Sequence, residues 1–237
     1  MYNWDDILIL GDSYAFSRDH QTDWPTALTI KLTGQQFSSD KLPRGAGYPG
    51  CSWWSTRNRL LKEISIRPPK VLVICHTEFS RLPSDEDFGL TFSGLSTKKI
   101  WSPSGMVSDS HPIMSAGTMY YKYMYSEQFY LWAMKQWLND LDSIIIDAGI
   151  ERVIHLPCFA LPEEICPKQG ITSEEILFEI HERLLGENAG YVNDAHYHRN
   201  HMDVNSNITF ANSMYEAIIN YDPSQNGKRI NLNIHGK

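Results

Sequence analysis

The chain lacks any apolar stretch approaching the ~20 residues that a membrane-spanning helix needs, so no span is expected. It has no run of Lys or Arg, and 21 basic residues against 28 acidic ones give a formal charge of −7. A nucleic-acid backbone is therefore a poor partner. The start, Met1-Tyr2-Asn3-Trp4-Asp5-Asp6, is acidic, whereas a secretory signal opens with positive charge and continues into an apolar run. Cysteine is scarce: Cys51, Cys75, Cys158 and Cys166 are far apart and form no C-x-x-C pair. Reduced thiols in a cytoplasmic protein are the expectation. Cys75 closes an apolar run, as a buried thiol does, and nothing basic adjoins Cys51 to activate it. Asn207-Ile208-Thr209 matches a glycosylation sequon, which without a signal reads as chance. Internal repeats and low-complexity tracts are absent too.

What is present is a globular balance. The 237 residues are 42% apolar and 21% charged, with 12% aromatics that include 7 Trp and 12 Tyr. A chain of this length removes roughly 70% or more of its unfolded surface from water without staples. The large flat side chains suit a core, and equally a cleft that holds a sugar or an acyl group.

Short apolar runs alternate with helical patterns. Ile7-Leu8-Ile9-Leu10, Val71-Leu72-Val73-Ile74-Cys75 and Arg152-Val153-Ile154-His155-Leu156-Pro157 are continuous rather than alternating. That fits strands buried on both faces, as in a parallel sheet. Weaker strand candidates are 36–39 and 190–192. Helical patterns cover 25–32, 53–64, 126–148, 172–185 and a last segment ending near Ile219, capped by Asp203 or Asn205. The fourth opens Thr172-Ser173-Glu174-Glu175, a cap followed by acids where the helix dipole favours them. The sum is an α/β sheet with helices on both faces. Residues 1–222 read as one domain and 223–237 as a polar, loosely held tail. Residues 82–125, rich in Pro, Gly and Ser, break the rhythm and read as an insertion or loop framing a site.

Ser13 follows the first run directly, in Gly11-Asp12-Ser13-Tyr14. A serine at the carboxyl end of a parallel strand faces the crevice where such folds bind ligands. A Gly-Asp-Ser turn that merely caps a helix is the plainer alternative. Of 9 histidines, His196, His198 and His201 fall close together. Histidine suits a general base because its pKa lies near working pH, and a serine hydroxyl needs such a base to become a nucleophile. With Asp194 and Asp203 the same cluster offers nitrogen and oxygen ligands, so a metal site on His196, His198 and His201 is a rival, and a surface histidine cluster is another. Tyr120, Tyr121, Tyr123, Tyr125, Phe129 and Tyr130 form an aromatic stripe that reads as packing or as one wall of a cleft.

These blocks, in this order, resemble the SGNH hydrolase superfamily of GDSL-type esterases and acylhydrolases. Gly11-Asp12-Ser13 looks like its first block, and Trp24-Pro25-Thr26-Ala27-Leu28 like the helix that follows. Gly50-Cys51-Ser52 is similar to the second. His201 with Ala211 is similar to the last, in a variant, Asn200-His201-Met202 with Asn205 and Asn207, that resembles phage-encoded members. The resemblance implies a three-layer, flavodoxin-like α/β/α fold with a parallel sheet of about five strands. It implies a serine esterase with Ser13 as nucleophile and His201 as base, acting on a small-molecule, carbohydrate or lipid ester, with no cofactor. The oxyanion would be held by Ser13 and Gly50, with Asp12, Tyr14 and Arg81 near the substrate.

The chain departs from that pattern twice. Where the family has Gly-x-Asn-Asp, this chain has His76-Thr77-Glu78-Phe79. An ionised Glu78 only accepts hydrogen bonds, so His76 is the expected replacement donor unless Glu78 is protonated. Pairing of Glu78 with Arg81 is the structural alternative. The family's Asp-x-x-His is also missing, because His198 stands where the acid belongs. Asp194, from a longer loop, is the expected third member of the triad. Both departures also fit an inactive binding module on the same fold.

Overall fold

The computed structural model describes residues 1–17, 22–36, 42–45, 47–48, 50–84, 89–98, 100–102, 105–159, 161, 166–177, 179–180, 202 and 204–233. Along them run β1 (Ile7–Leu10), α1 (Trp24–Thr33), α2 (Trp53–Ile66), β2 (Val71–His76) and α3 (Phe92–Ser96). A small hairpin of β3 (Trp101–Ser102) and β4 (Gly105–Met106) follows, then α4 (Pro112–Tyr123) and α5 (Glu127–Ala148). The chain continues through β5 (Arg152–Pro157), β6 (Ile171–Ser173), α6 (Val204–Ile219) and β7 (Arg229–Ile230).

The main sheet has the order β1-β2-β5-β6-β7, and every neighbouring pair is parallel. All residues of β1 and β2 are buried, which is why their sequences are continuously apolar. Alternate side chains go to opposite layers. Ile7, Ile9, Val71, Val73, Ile154 and Leu156 pack against Trp24 and Leu28 of α1 and Phe210 and Met214 of α6. Leu8, Leu10, Leu72, Ile74 and Val153 pack against Leu60 of α2 and Met134, Trp137, Leu138 and Leu141 of α5. The result is the three-layer α/β/α fold that the sequence predicts. None of the helices among the described residues is long and apolar enough to cross a membrane.

Beyond β1, on the side away from β2, Ile9 N–H donates to the Arg44 carbonyl at 3.1 Å and Tyr48 N–H to the Gly11 carbonyl at 3.1 Å. The chain therefore leaves β1 toward both sides, and the carboxyl end of β1 is a switch point, where open α/β sheets form their crevice.

Four local expectations are corrected. The helix expected to start at Thr172 does not: Ile171–Ser173 is a strand paired to β5 through Ile154–Ile171 and His155–Thr172. The open edge of β5 and the β-branched Ile171-Thr172 outweigh the acidic first-turn pattern, and helical residues begin only at Leu177. The tail expected after Asp222 instead contributes β7, with Thr172 N–H on the Lys228 carbonyl at 3.0 Å and Glu174 N–H on the Ile230 carbonyl at 2.9 Å, and Leu232 is buried. The described residues of the segment read as a loop carry α3, the β3–β4 hairpin and α4, and Leu82, Leu90, Leu95, Ile100, Val107 and Met114 form a core with Tyr130 of α5. Asn205 lies inside α6 and caps nothing. Residues 37–39, 181–185, 190–192 and Asp203 lie outside the described residues.

Candidate active site at the carboxyl ends of the strands

Gly11 makes the turn out of β1. Its φ is +149°, and a Cβ there would lie 2.5 Å from Cys75 Cβ, so only glycine brings the chain this close to β2. Asp12 comes next and is 1% exposed. Its Oδ1 accepts the Tyr14 N–H at 3.1 Å, starting the short turn Ser13–Ala15. Its Oδ2 accepts the Thr77 hydroxyl at 2.8 Å and Arg81 Nη1 at 3.4 Å. The Cys158 thiol reaches Oδ1 at 3.6 Å. Burial, the neighbouring Cys75 thiol and the Asp12 charge hold that thiol well above its ordinary pKa, so it stays an S–H donor.

Arg81 Nη1 also donates to the Cys51 carbonyl at 3.0 Å. Three segments thus meet on one carboxylate, the turns after β1, β2 and β5, and Arg81 ties in a fourth, the loop before α2. A charge this deep is tolerable only because it is paired and hydrogen-bonded. Gly47 packs the same loop onto the turn, since a Cβ there would lie 2.0 Å from the Asp12 carbonyl oxygen. Cys51, Cys75 and Cys158 are buried thiols, none of them in a disulfide. Within the block Asp12 and Tyr14 are buried, while Ser13 between them is partly exposed. The arrangement buries the neighbours of Ser13 and leaves Ser13 partly exposed. Asp12, Tyr14 and Arg81, expected beside the substrate, are buried groups that shape the turn.

The third block is reorganised around a histidine pair. His76 Nε2 and His155 Nδ1 lie 2.9 Å apart, and His155 Nε2 is 2.8 Å from the Gln169 carbonyl. A carbonyl only accepts, so His155 carries its proton on Nε2 and offers Nδ1 as acceptor. His76 then donates from Nε2 and is left with a lone pair on Nδ1. Burial lowers the pKa of both rings, that of His155 to about 4 and that of His76 well below its ordinary value, with His155 adding to the second. Asp142 fixes the carbonyl end by accepting Lys168 N–H at 2.9 Å and Gln169 N–H at 2.8 Å. Neutral His76 therefore presents an acceptor and does not replace the missing oxyanion donor.

Glu78 is engaged elsewhere as well. Its Oε1 accepts the Ser80 hydroxyl at 2.5 Å. Its charge is felt by Tyr121 and Tyr125, whose hydroxyl pKa values rise first through burial and then through nearby groups that include Glu78. The expected Glu78–Arg81 pair is not formed, because the guanidinium goes to the more deeply buried Asp12. In the tyrosine stripe, Tyr120 and Tyr130 hydroxyls meet at 3.0 Å and Tyr121 donates to the Ser80 and Leu90 carbonyls. Those residues pack the insertion, while Tyr123 and Phe129 are exposed.

Asp194, His196, His198 and His201 lie outside the described residues. Met202, the covalent neighbour of His201, is 1% exposed in the same core layer as Tyr14 and Trp24. Its carbonyl accepts from Asn207 Nδ2 at 3.0 Å, Asn207 Oδ1 accepts the Trp24 N–H at 2.9 Å, and Trp24 Nε1 donates to the Tyr14 carbonyl at 2.6 Å. The first and last blocks are thereby joined through two side chains. Sequence reasoning met Asn207 in a chance sequon and in the variant last block without giving it a role, and its 2% exposure marks a structural one. It also missed Thr77 and Cys158, which nothing local singles out. Among the described residues no three His, Cys, Asp or Glu side chains are grouped to hold a metal. No protein-family model, curated protein or solved structure matches the chain. Fold and site define a parallel α/β/α protein with a partly exposed serine on the turn that follows its first strand.

Proposed function

We propose that the protein is a serine esterase of SGNH type. The observation that carries this reading is the linkage Tyr14–Trp24–Asn207–Met202, which ties the Ser13 turn to the residue after His201. Ser13 Oγ attacks an ester carbonyl while His201 takes its proton. The backbone N–H groups of Ser13 and Gly50 hold the oxyanion. Collapse expels the alcohol, protonated by His201, and water activated by the same ring releases the acid. Asp194 supports His201. A positioned base contributes ~10²–10⁴ in rate and each oxyanion donor ~10²–10³. No cofactor enters, and the substrate is a small-molecule or carbohydrate ester.

A second reading, an inactive binding module, is favoured by one observation. The third-block residues His76 and Glu78 are committed to His155 and Ser80, so no side-chain donor replaces the family asparagine. Fluorophosphonate labelling and p-nitrophenyl acetate turnover separate the two. Under the esterase reading both are present in the wild type and vanish in Ser13→Ala and His201→Ala. A folded wild type that neither labels nor turns over sinks it in favour of the binding module.

A further inference from the structure

A groove of about 490 Å³ runs between α2 and α5, within the usual ligand-site range of roughly 300–1,000 Å³. One wall is Trp53, Trp54 and Arg57 from the first turns of α2. The other is Phe129, Trp132 and Asp140 along one stripe of α5. Trp54, Phe129 and Trp132 are 41%, 53% and 56% exposed, and contiguous apolar exposure of this kind marks a binding surface. The Phe129 and Trp132 rings lie 5.9 Å apart and tilted by 34°.

The groove also carries polar groups. Arg57 Nε meets Asp140 Oδ2 at 2.6 Å across it, and the guanidinium lies over the Trp54 ring, 5.4 Å from its centroid. Trp53 Nε1 is buried and has no hydrogen-bond partner among the described residues. A buried polar group left unpaired is costly, and Trp53 is one of the residues that line the groove.

We infer that this groove binds a neutral oligosaccharide chain. Pyranose rings present flat C–H faces for the exposed indoles and hydroxyls for the half-exposed Arg57–Asp140 pair. An acyl chain would satisfy the rings but would strip water from that pair without replacing its hydrogen bonds, which is unfavourable. An anionic chain gains little, because Asp140 already neutralises Arg57. The segments that line the groove adjoin those of the candidate active site, where Arg81 bridges the Cys51 carbonyl and Asp12. Trp53 follows the Cys51-Ser52 loop, and Pro83, also on the groove wall, follows Arg81 and Leu82. Resting on the esterase reading, the groove assigns its substrate class: an ester carried on a glycan, with the sugar chain along α2 and α5 and the ester at Ser13.

The test keeps binding apart from catalysis. Tryptophan fluorescence of the full-length Ser13→Ala protein is titrated with hexasaccharides of β-1,4-linked glucose, xylose and N-acetylglucosamine. At least one should quench saturably, with affinity weakened about tenfold or more in Trp132→Ala and Trp54→Ala. Both positions are exposed, so these variants should fold, and thermal unfolding followed by circular dichroism checks that they do. No saturable binding, or binding that both variants retain, overturns the glycan assignment whether or not the esterase assay is positive. A concentration-dependent dimer by sedimentation that Trp132→Ala dissociates would overturn it in favour of a second copy of the chain. Glycan binding in a protein inert to fluorophosphonate would uphold the groove and reject only the ester at Ser13.

Discussion

Acidification should destabilise this protein well before its carboxylates titrate, and the cause is the buried histidine pair. His155 has a pKa of about 4 in the folded chain against roughly 6.5 when unfolded. Its folded pKa is depressed, so the unfolded state binds the proton first and stability rises with pH between those values. The full contribution is present above about pH 6.5, is lost as pH falls toward 4, and is then constant. At ~1.36 kcal/mol per decade that gap amounts to about 3 kcal/mol, of which roughly 2 is lost by pH 5. His76, lowered by the same burial and by His155, acts in the same direction. Urea unfolding between pH 7 and pH 5 should therefore show ΔG falling by up to ~1.4 kcal/mol per pH unit for each histidine. His155→Gln keeps an acceptor for His76 and a donor for the Gln169 carbonyl, so it should fold with a shallower slope by about one proton. Ring nitrogen shifts should place both protons on Nε2. A wild type whose stability is flat over this range, or a variant with an unchanged slope, would refute the buried neutral pair.

Two further substitutions probe the joints of the site. Arg81→Met strips the guanidinium from Asp12 and from the Cys51 carbonyl and should cost about 3–5 kcal/mol by urea unfolding. In an Asp12→Asn background the same change should cost clearly less, and simple additivity of the two would show that they do not interact. Asn207→Ala removes two buried hydrogen bonds, one to each end motif, and should cost about 1–3 kcal/mol. It should also slow fluorophosphonate labelling of Ser13, and an unchanged labelling rate would show that the Trp24–Asn207 link does not position the site.

How far the sequence could be read depended on how much of each signal was local. The three long strands were legible because burial on both faces forces an uninterrupted apolar run, as in Val71–His76. Ile171–Ser173 and Arg229–Ile230 were not, since strands of 3 and 2 residues carry no periodicity and exist because a neighbour's edge needs partners. The long α5 announced itself by its stripe and by Gly149, which ends it in the left-handed conformation at φ 64°. The insertion misled through composition. Its Pro, Gly and Ser suggested a loop, while its leucines fall at irregular spacings that close into a core only in three dimensions. Ser13 was legible because it follows a strand directly. The partners of Asp12 were not: Thr77, Arg81 and Cys158 converge because β1, β2 and β5 lie side by side, a fact of sheet order that no local window contains.

The departures at the third block bear on rate rather than on whether a nucleophile exists. In the resembled family an asparagine donates to the oxyanion from the loop after the strand that β2 corresponds to. Here the two side chains nearest that role are tied down: His76 spends its proton on His155, and Glu78 accepts from Ser80. The charges beside Ser13 also cancel locally, because Arg81 is paired with Asp12 and adds little net positive field for a developing anion. In the proposed esterase, stabilisation of the tetrahedral intermediate would then fall on the backbone N–H groups of Ser13 and Gly50. One donor fewer corresponds to ~10²–10³ in rate, so the proposed esterase would be slow on a bare activated ester. Its shortfall would have to be recovered from remote binding energy, which raises turnover only when it is realised in the transition state. The aromatic groove between α2 and α5 is where that energy is available. A truncated ester should consequently lose kcat as well as affinity relative to the same ester carried on a chain long enough to fill the groove.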